Sequence, residues 1–276
     1  MLSFTKMHSL GNDFVLLDGV RQPFALNQDQ IRCLTDRRIG IGCDQLIVAE
    51  PGRGGADFSM LVFNTDGSEA GQCGNGARCF AKFLHDEGLT IQKRIEVETS
   101  DRLIQLEIKD AWQVTVDMGP PLFEPSQVPF DAPEVADIYS LEIADEIIEL
   151  SAISVGNPHA VLLVDEVDMA PVSRIGPAIE QHPRFPERVN VGFVRPNNRA
   201  QIQLRVWERG VGETLACGSG ACAAAVVCHR LGQTDDEIDV VLPGGTIRVR
   251  WSGEGSVFSS GPATTVYRGE TNLVAR

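Results

Sequence analysis

Cys73 and Cys217 are the residues whose surroundings best suit chemistry. Cys73 opens the stretch Cys73-Gly-Asn-Gly-Ala-Arg-Cys79, and Cys217 opens Cys217-Gly-Ser-Gly-Ala-Cys222. Each leads into an Ala-rich apolar run with helical spacing, and each run stops at a glycine at the same distance (73 to 88, 217 to 232). The pattern predicts a cysteine on a glycine-rich turn at a helix start, with glycine ending the helix. Free backbone N–H groups and the positive end of the helix dipole favour an anion there. They can lower a thiol's pKa from about 8.5 to between roughly 3.5 and 7.5. Two such thiols facing each other across an interdomain cleft suit a stereoinversion: one thiolate takes a proton from a carbon, and the opposite thiol delivers one to the other face. Two thiolates in one dry site would repel, so the pair should carry one negative charge and share one proton.

The carbon is the harder problem, because an amino-acid α-proton is very weakly acidic and nothing in the chain resembles a pyridoxal-phosphate lysine site. Stabilisation must come from preorganised donors aimed at a carboxylate as it takes on enolate character. The backbone N–H groups of Gly74, Asn75, Gly218 and Ser219 are the candidates. Glycines at 74, 76, 218 and 220 allow backbone to approach a ligand closely.

The elements that must hold these turns are themselves repeated. Gly11-Asn12-Asp13-Phe14 returns as Gly156-Asn157-Pro158-His159, an offset of 145 (11 to 156). The cysteine loops are offset by 144 (73 to 217), as are Asn64 with Glu208 and Glu69 with Glu213. Two structurally similar halves are expected. Alternating or β-branched runs predict strands over Ser3–Leu17, Gln45–Glu50, Phe58–Asn64, Ile95–Thr99, Leu103–Lys109 and Trp112–Asp117. In the second half they predict strands over Ile147–Val155, Ala160–Val164, Val189–Val194, Gln201–Glu208, Ile238–Leu242 and Thr246–Trp251. Gln28–Arg38 and Val172–Gln181 read as short helices. The fold class is α+β, a mixed architecture of two pseudo-symmetric domains. Each domain is a largely antiparallel or mixed sheet wrapped around one central, apolar helix. The Pro-rich stretch from Gly119 and the Gly261-Pro262 pair mark boundaries. They give an N-terminal half at 1–118, completed by 263–276, and a C-terminal half at 119–262. Ala263–Val274 reads as a final strand returning to the first half.

The chain has 276 residues, 43% hydrophobic and 22% charged, enough for a sizeable core. A net charge of −14 argues against a nucleic-acid footprint or an anionic-membrane patch, and no apolar run approaches the roughly 18 residues of a spanning helix. The N-terminus lacks the apolar core of a signal peptide. Seven cysteines, an odd number, read as free thiols in a reducing, cytoplasmic compartment. There is no Cys-x-x-Cys, and the cysteine spacings suit no common zinc site, so no metal is expected. Cys79, Cys222 and Cys228 fall inside the apolar helices and, with Cys33 and Cys43, read as core filler.

Together with Asn190-Val-Gly-Phe193 and the Glu208-to-Gly220 stretch, these motifs resemble those of the diaminopimelate epimerase family over essentially the whole chain, Lys6 to about Tyr267. The resemblance implies cofactor-independent interconversion of LL- and meso-2,6-diaminopimelate, a small amino-acid substrate, in lysine and peptidoglycan synthesis. By motif, Cys73 and Cys217 would be the acid/base pair. Gly74, Asn75, Gly218 and Ser219 would hold the reacting carboxylate. Asn12, Gln45, Asn64, Asn157, Asn190, Glu208 and Arg209 would hold the rest of the substrate. His159 and Glu208 would tune the cysteines. The family's homodimers imply a dimer contact at Tyr267. The same residues make sense unaided: one Arg for a distal carboxylate and several amides for paired contacts would read a second amino-acid end.

Two alternatives share parts of the pattern. Proline- and hydroxyproline-type racemases also use two cysteines, but a small ring offers Arg209 no far carboxylate. A thiol redox protein would join Cys73 to Cys217, without the usual Cys-x-x-Cys.

Overall fold

The computed structural model describes residues 1–22, 24–71, 73–143 and 146–272. In chain order the first stretch forms β1 (Leu2–Ser9), β2 (Asn12–Asp18), α1 (Gln28–Thr35), β3 (Gln45–Pro51), β4 (Phe58–Asn64), β5 (Glu69–Ala70) and α2 (Gly74–Asp86). It ends with β6 (Arg94–Glu98), β7 (Leu103–Ile108) and β8 (Gln113–Asp117). The next forms β9 (Tyr139–Ile143), β10 (Glu146–Ser154), β11 (Pro158–Leu163), α3 (Val172–Glu180), β12 (Asn190–Asn198), β13 (Gln201–Glu208) and β14 (Gly212–Thr214). It continues with α4 (Gly218–Arg230), β15 (Glu237–Leu242), β16 (Gly245–Arg250), β17 (Phe258–Pro262) and β18 (Thr264–Thr271). The chain divides into two compact units, Met1–Asp117 with Ser260–Arg276, and Met118–Ser259. Among the described residues no helix is long and apolar enough to cross a membrane.

In the first unit β2 and β3 are parallel, as are β4 and β6. The pairs β18/β1, β1/β2, β3/β4, β6/β7 and β7/β8 are antiparallel. The mixed sheet curls around α2, which packs against β1, β2, β3, β7, β8 and β18. Phe80, Phe83 and Leu84 of α2 are buried, and each such side chain stabilises the unit by about 1.5–3 kcal/mol. The helix is not apolar all round. Arg78 is fully buried, and Lys82 reaches Asp86 at 2.7 Å and sits 3.7 Å over the Trp112 ring.

The second unit repeats this wiring strand for strand. The pairs β11/β12 and β13/β15 are parallel. The pairs β9/β10, β10/β11, β12/β13 and β15/β16 are antiparallel. Helix α4 packs against β10, β11, β12, β13, β15 and β16. Its alanines Ala221, Ala223, Ala224 and Ala225 are buried, so small side chains let the sheet close tightly on the helix. A second cluster, with Phe130 stacked on Phe185 at 4.6 Å, fills the space beside α3.

The repeat extends to hydrogen-bond register. Phe14 pairs with Gln45 across the parallel strands of the first unit, and His159 pairs with Asn190 in the second. Val62 faces Ala70 as Val206 faces Thr214. Helices α2 and α4 are each 13 residues long, with Cys73 and Cys217 as their N-caps.

Several elements differ in extent from the sequence reading. The single strand expected over Ser3–Leu17 is a hairpin, turned by Leu10 (φ 55°) and Gly11 (φ 90°). Helix α1, opened by a capping box between Asn27 and Gln30, stops at Thr35 rather than Arg38. The Asp36 carboxylate takes the backbone N–H groups of Arg38 and Ile39 into a turn instead. Strands β9 and β17 carried too little periodicity to be foreseen. The last strand ends at Thr271, and Val274 lies outside the described residues.

Candidate active site

The two cysteines occupy the same place in their units but meet different neighbours. Cys73 has extended backbone (φ −126°, ψ 103°), and its Sγ accepts the N–H of Gly76 at 3.4 Å, which caps α2. A Cβ on Gly76 would lie 2.9 Å from Ile47 Cδ1 and 3.4 Å from the Cys73 sulfur, so glycine keeps strand, helix and thiol in register. Gly220 does the same in α4, where a Cβ would meet Val206 at 3.1 Å and Cys217 Sγ at 3.3 Å.

The amides of the first unit are held by one another and by its turns. The hairpin turn delivers Asn12 to the start of α2, where its Oδ1 accepts from Asn75 Nδ2 at 3.1 Å. Register between β3 and β4 sets Gln45 opposite Asn64, and Gln45 Nε2 donates to Asn64 Oδ1 at 3.1 Å. Asn64 Nδ2 in turn donates to Ser68 Oγ at 3.1 Å.

Cys217 is 3% exposed and donates its S–H to Glu208 Oε2 at 3.1 Å. The other Glu208 oxygen takes the Thr214 hydroxyl at 2.5 Å, and Ser219 Oγ lies 3.6 Å from the sulfur. Burial, the Glu208 charge and the hydrogen bond to that carboxylate hold the Cys217 thiol well above its ordinary value; contacts to Gly220 and Ser219 oppose them. The helix start was expected to lower this pKa. For Cys217 the desolvation of the sulfur and a neighbouring anion outweigh the dipole. Cys217 is therefore held as a protonated thiol. Position 64 is the counterpart of Glu208, and there the carboxylate is replaced by the Asn64 amide.

The remaining candidates of the second unit are held by its strands. His159 is 1% exposed, its Nε2 is 2.9 Å from Asn157 Oδ1, and burial with the Arg209 charge lowers its pKa to about 3, so the ring is neutral. Asn190 donates to Pro158 O at 2.9 Å and accepts the Arg209 N–H at 3.0 Å. The buried Glu180 carboxylate accepts from Trp207 Nε1 (2.7 Å) and Gly210 N (2.8 Å), clamping both sides of Glu208-Arg209. The Arg209 guanidinium donates to Glu187 O at 2.9 Å. Gly74 and Gly218 open their helices in buried positions. Tyr267 lies on β18, 46% exposed, edge-on to Phe4 at 5.9 Å.

Core placement holds for Cys43, Cys79, Cys222 and Cys228, all buried, while Cys33 is half-buried. Burial alone pushes the Cys228 thiol to about 12. Sequence reasoning passed over Asp44, Arg78, Glu180 and Thr214. Arg78 did leave a signal: it is a charged residue in the second turn of a helix otherwise read as core.

Solved structures share this fold at low identity. A probable proline racemase from Agrobacterium radiobacter matches with a TM-score of 0.71 at 16% identity, covering 99% of this chain and 93% of that one. A hydroxyproline epimerase from Agrobacterium vitis gives 0.70 at 17%, covering 97% and 91%. A PhzF-family phenazine biosynthesis protein from Bacillus anthracis gives 0.69 at 15%, covering 98% of both chains. The fold is thus that of the two-domain racemases and PhzF proteins. The model of the diaminopimelate epimerase family matches residues 4–124 and 151–266. The diaminopimelate epimerase of Thioalkalivibrio sulfidiphilus is 51% identical over 276 residues, and that of Laribacter hongkongensis 54% over 276, each match covering 99% of both chains. This chain belongs to the diaminopimelate epimerase family and is an isomerase of the epimerase type. The family assignment does not favour the proline-type or thiol-redox alternatives.

Proposed function

We propose that this protein interconverts LL- and meso-2,6-diaminopimelate by moving a proton at one α-carbon between Cys73 and Cys217. The observation that carries the reading is the paired construction: each unit offers a cysteine as the N-cap of its buried helix, with glycine three residues on. In one direction a Cys73 thiolate takes the α-hydrogen, the electron pair passes into the carboxylate, and the Cys217 thiol returns a hydrogen from the opposite face. Cys73 ends as thiol and Cys217 as thiolate, so the reverse reaction starts from the products' protonation state. Backbone N–H groups of Gly74, Asn75, Gly218 and Ser219 hold the carboxylate as charge builds on it. Asn12, Gln45, Asn64, Asn157, Asn190, Glu208 and Arg209 hold the rest of the substrate. The Glu208 contact supports a role in setting the Cys217 proton, and neutral His159 supports a hydrogen-bonding role. The chemistry needs no organic cofactor.

We further propose a cytoplasmic homodimer with Tyr267 at the contact, on the strength of that side chain's exposure. Sedimentation of Tyr267→Ala against the parent tests it, and an unchanged dimer would reject the contact.

Incubation of the purified protein with LL-diaminopimelate in D2O tests the reaction. One deuterium should appear at a single α-carbon, with meso product, without added cofactor. Cys73→Ala and Cys217→Ala should each lose at least about a thousandfold in turnover while staying folded. Full activity in either variant would remove the two-thiol mechanism.

A further inference from the structure

A continuous chain of polar contacts runs from the surface of the first unit to the inside of α2. Arg37 Nη2 donates to Asp44 Oδ1 at 2.6 Å, and Asp44 Oδ2 accepts from Asn12 Nδ2 at 2.8 Å. Asn12 Oδ1 accepts from Asn75 Nδ2 at 3.1 Å, and Asn75 Oδ1 accepts from Arg78 Nη2. Arg78 Nε donates to Ser9 Oγ at 3.0 Å, and that hydroxyl donates to Pro262 O at 2.8 Å. Asp44 is anchored independently, its Oδ2 also accepting the Asp13 N–H at 3.1 Å. Asp13 is itself held ionised: burial works against its charge, but hydrogen bonds from Arg37 and Lys6 take its carboxyl well below the usual range.

The two ends of the central run are chemically opposite. Asp44 accepts from Arg37, from Asn12 and from the Asp13 N–H, and a guanidinium can only donate. An amide between them has one orientation that works. Asn12 must turn its nitrogen to Asp44, which leaves its oxygen for Asn75. Asn75 must then offer nitrogen to Asn12 and oxygen to Arg78. Flipping either amide sets two N–H groups, or two oxygens, against each other.

We propose that Asp44 and Arg78 are positioning residues that lock the direction of the Asn12 and Asn75 amides, and so fix which atoms these side chains present to the substrate. The Asn12 amide has two donors and two lone pairs and spends one of each on this chain, so the second N–H points where the lock dictates. The second unit has no such lock at the same positions: Cys222 stands where Arg78 does, and Ser219 where Asn75 does. The proposal rests on Asn12 and Asn75 facing the substrate, as read above.

Three variants and one exchange measurement test it. In Asp44→Asn the residue can donate or accept, so direction is lost. KM for diaminopimelate should rise about tenfold, with kcat changed less than about threefold. Arg78→Lys keeps a donor-only group and should hold KM near the parent value, whereas Arg78→Gln should raise it as Asp44→Asn does. Side-chain amide hydrogen exchange, followed by NMR on protein labelled at asparagine, needs no substrate. The Asn12 and Asn75 amide protons should exchange slowly in the parent and markedly faster in Asp44→Asn. Bulk-rate exchange in the parent, or a KM and exchange pattern unmoved in Asp44→Asn, would overturn the proposal. If the parent fails to turn over diaminopimelate at all, the epimerase reading falls, and the exchange rates still decide whether the amides are locked.

Discussion

Cys217 donates its S–H to the Glu208 carboxylate across 3.1 Å, in a setting where the sulfur is almost wholly withdrawn from water. The equivalent position of the first unit holds Asn64, an uncharged amide. The repeat thus sets a carboxylate in the second unit where the first has an amide.

Glu208→Gln should shift the balance in a defined direction. Removing the anion removes one of the causes that hold the Cys217 thiol up, so the thiolate becomes easier to form while burial still opposes it. The pH midpoint for alkylation of Cys217, read by peptide mapping, should move down, and kcat/KM should fall roughly a hundredfold. A midpoint that stays put would mean that burial alone governs this thiol.

Gly220→Ala places a methyl group 3.2 Å from Cys217 Cβ and 3.3 Å from its sulfur. Alanine suits a helix better than glycine by about 1 kcal/mol, so melting should change little. The displaced thiol should still lower kcat by about ten- to a hundredfold, because small misplacements of reacting groups are costly. Unaltered turnover would show that the sulfur has room to move.

His159 should impose an acid limb on stability. Its folded pKa, about 3, lies below the ordinary 6.5, so the unfolded chain takes up a proton that the folded chain refuses. Stability is complete above pH 6.5 and falls as pH drops from 6.5 toward 3, by at most about 1.4 kcal/mol per pH unit from this group. His159→Phe installs the residue that Phe14 supplies at the matching register position. Denaturant titrations of this variant across that range should show a shallower slope. An equal slope would assign the acid sensitivity to other groups.

Arg209→Ala tests recognition of the distal end of the substrate. Loss of the guanidinium should cut kcat/KM for diaminopimelate by about a hundredfold or more, and far less for a mono-amino acid. Equal losses would show that Arg209 does not read the second carboxylate.

Much of this was written in the sequence because the repeat is preserved at positions where geometry is demanding. Gly11 and Gly156 both adopt left-handed backbone (φ 90° and 97°), and Gly76 and Gly220 admit no Cβ without crowding. Such positions survive divergence and show through as spaced glycines. The two helix-capping cysteines were legible for the same reason. What stayed hidden depended on tertiary contact. The Cys217 pKa runs opposite to the helix-start rule because the sulfur is buried and a carboxylate nine positions earlier folds back onto it. Glu180 was invisible because its partners, Trp207 and Gly210, lie on a different element. Arg78 stood out as a charge in a helix read as apolar, but its partners Asn75 and Ser9 could be found only from the fold.

The pairing of β18 with β1 has a consequence for synthesis. Residues Met118–Ser259 form an uninterrupted unit, whereas the earlier-made Met1–Asp117 gains its last strand only from β18, made after that unit. As the polypeptide leaves the ribosome, the later segment can therefore complete its sheet first. Until β18 has been made, the Cys73 unit has an unpartnered strand edge along Leu2–Ser9, a stretch open to wrong association.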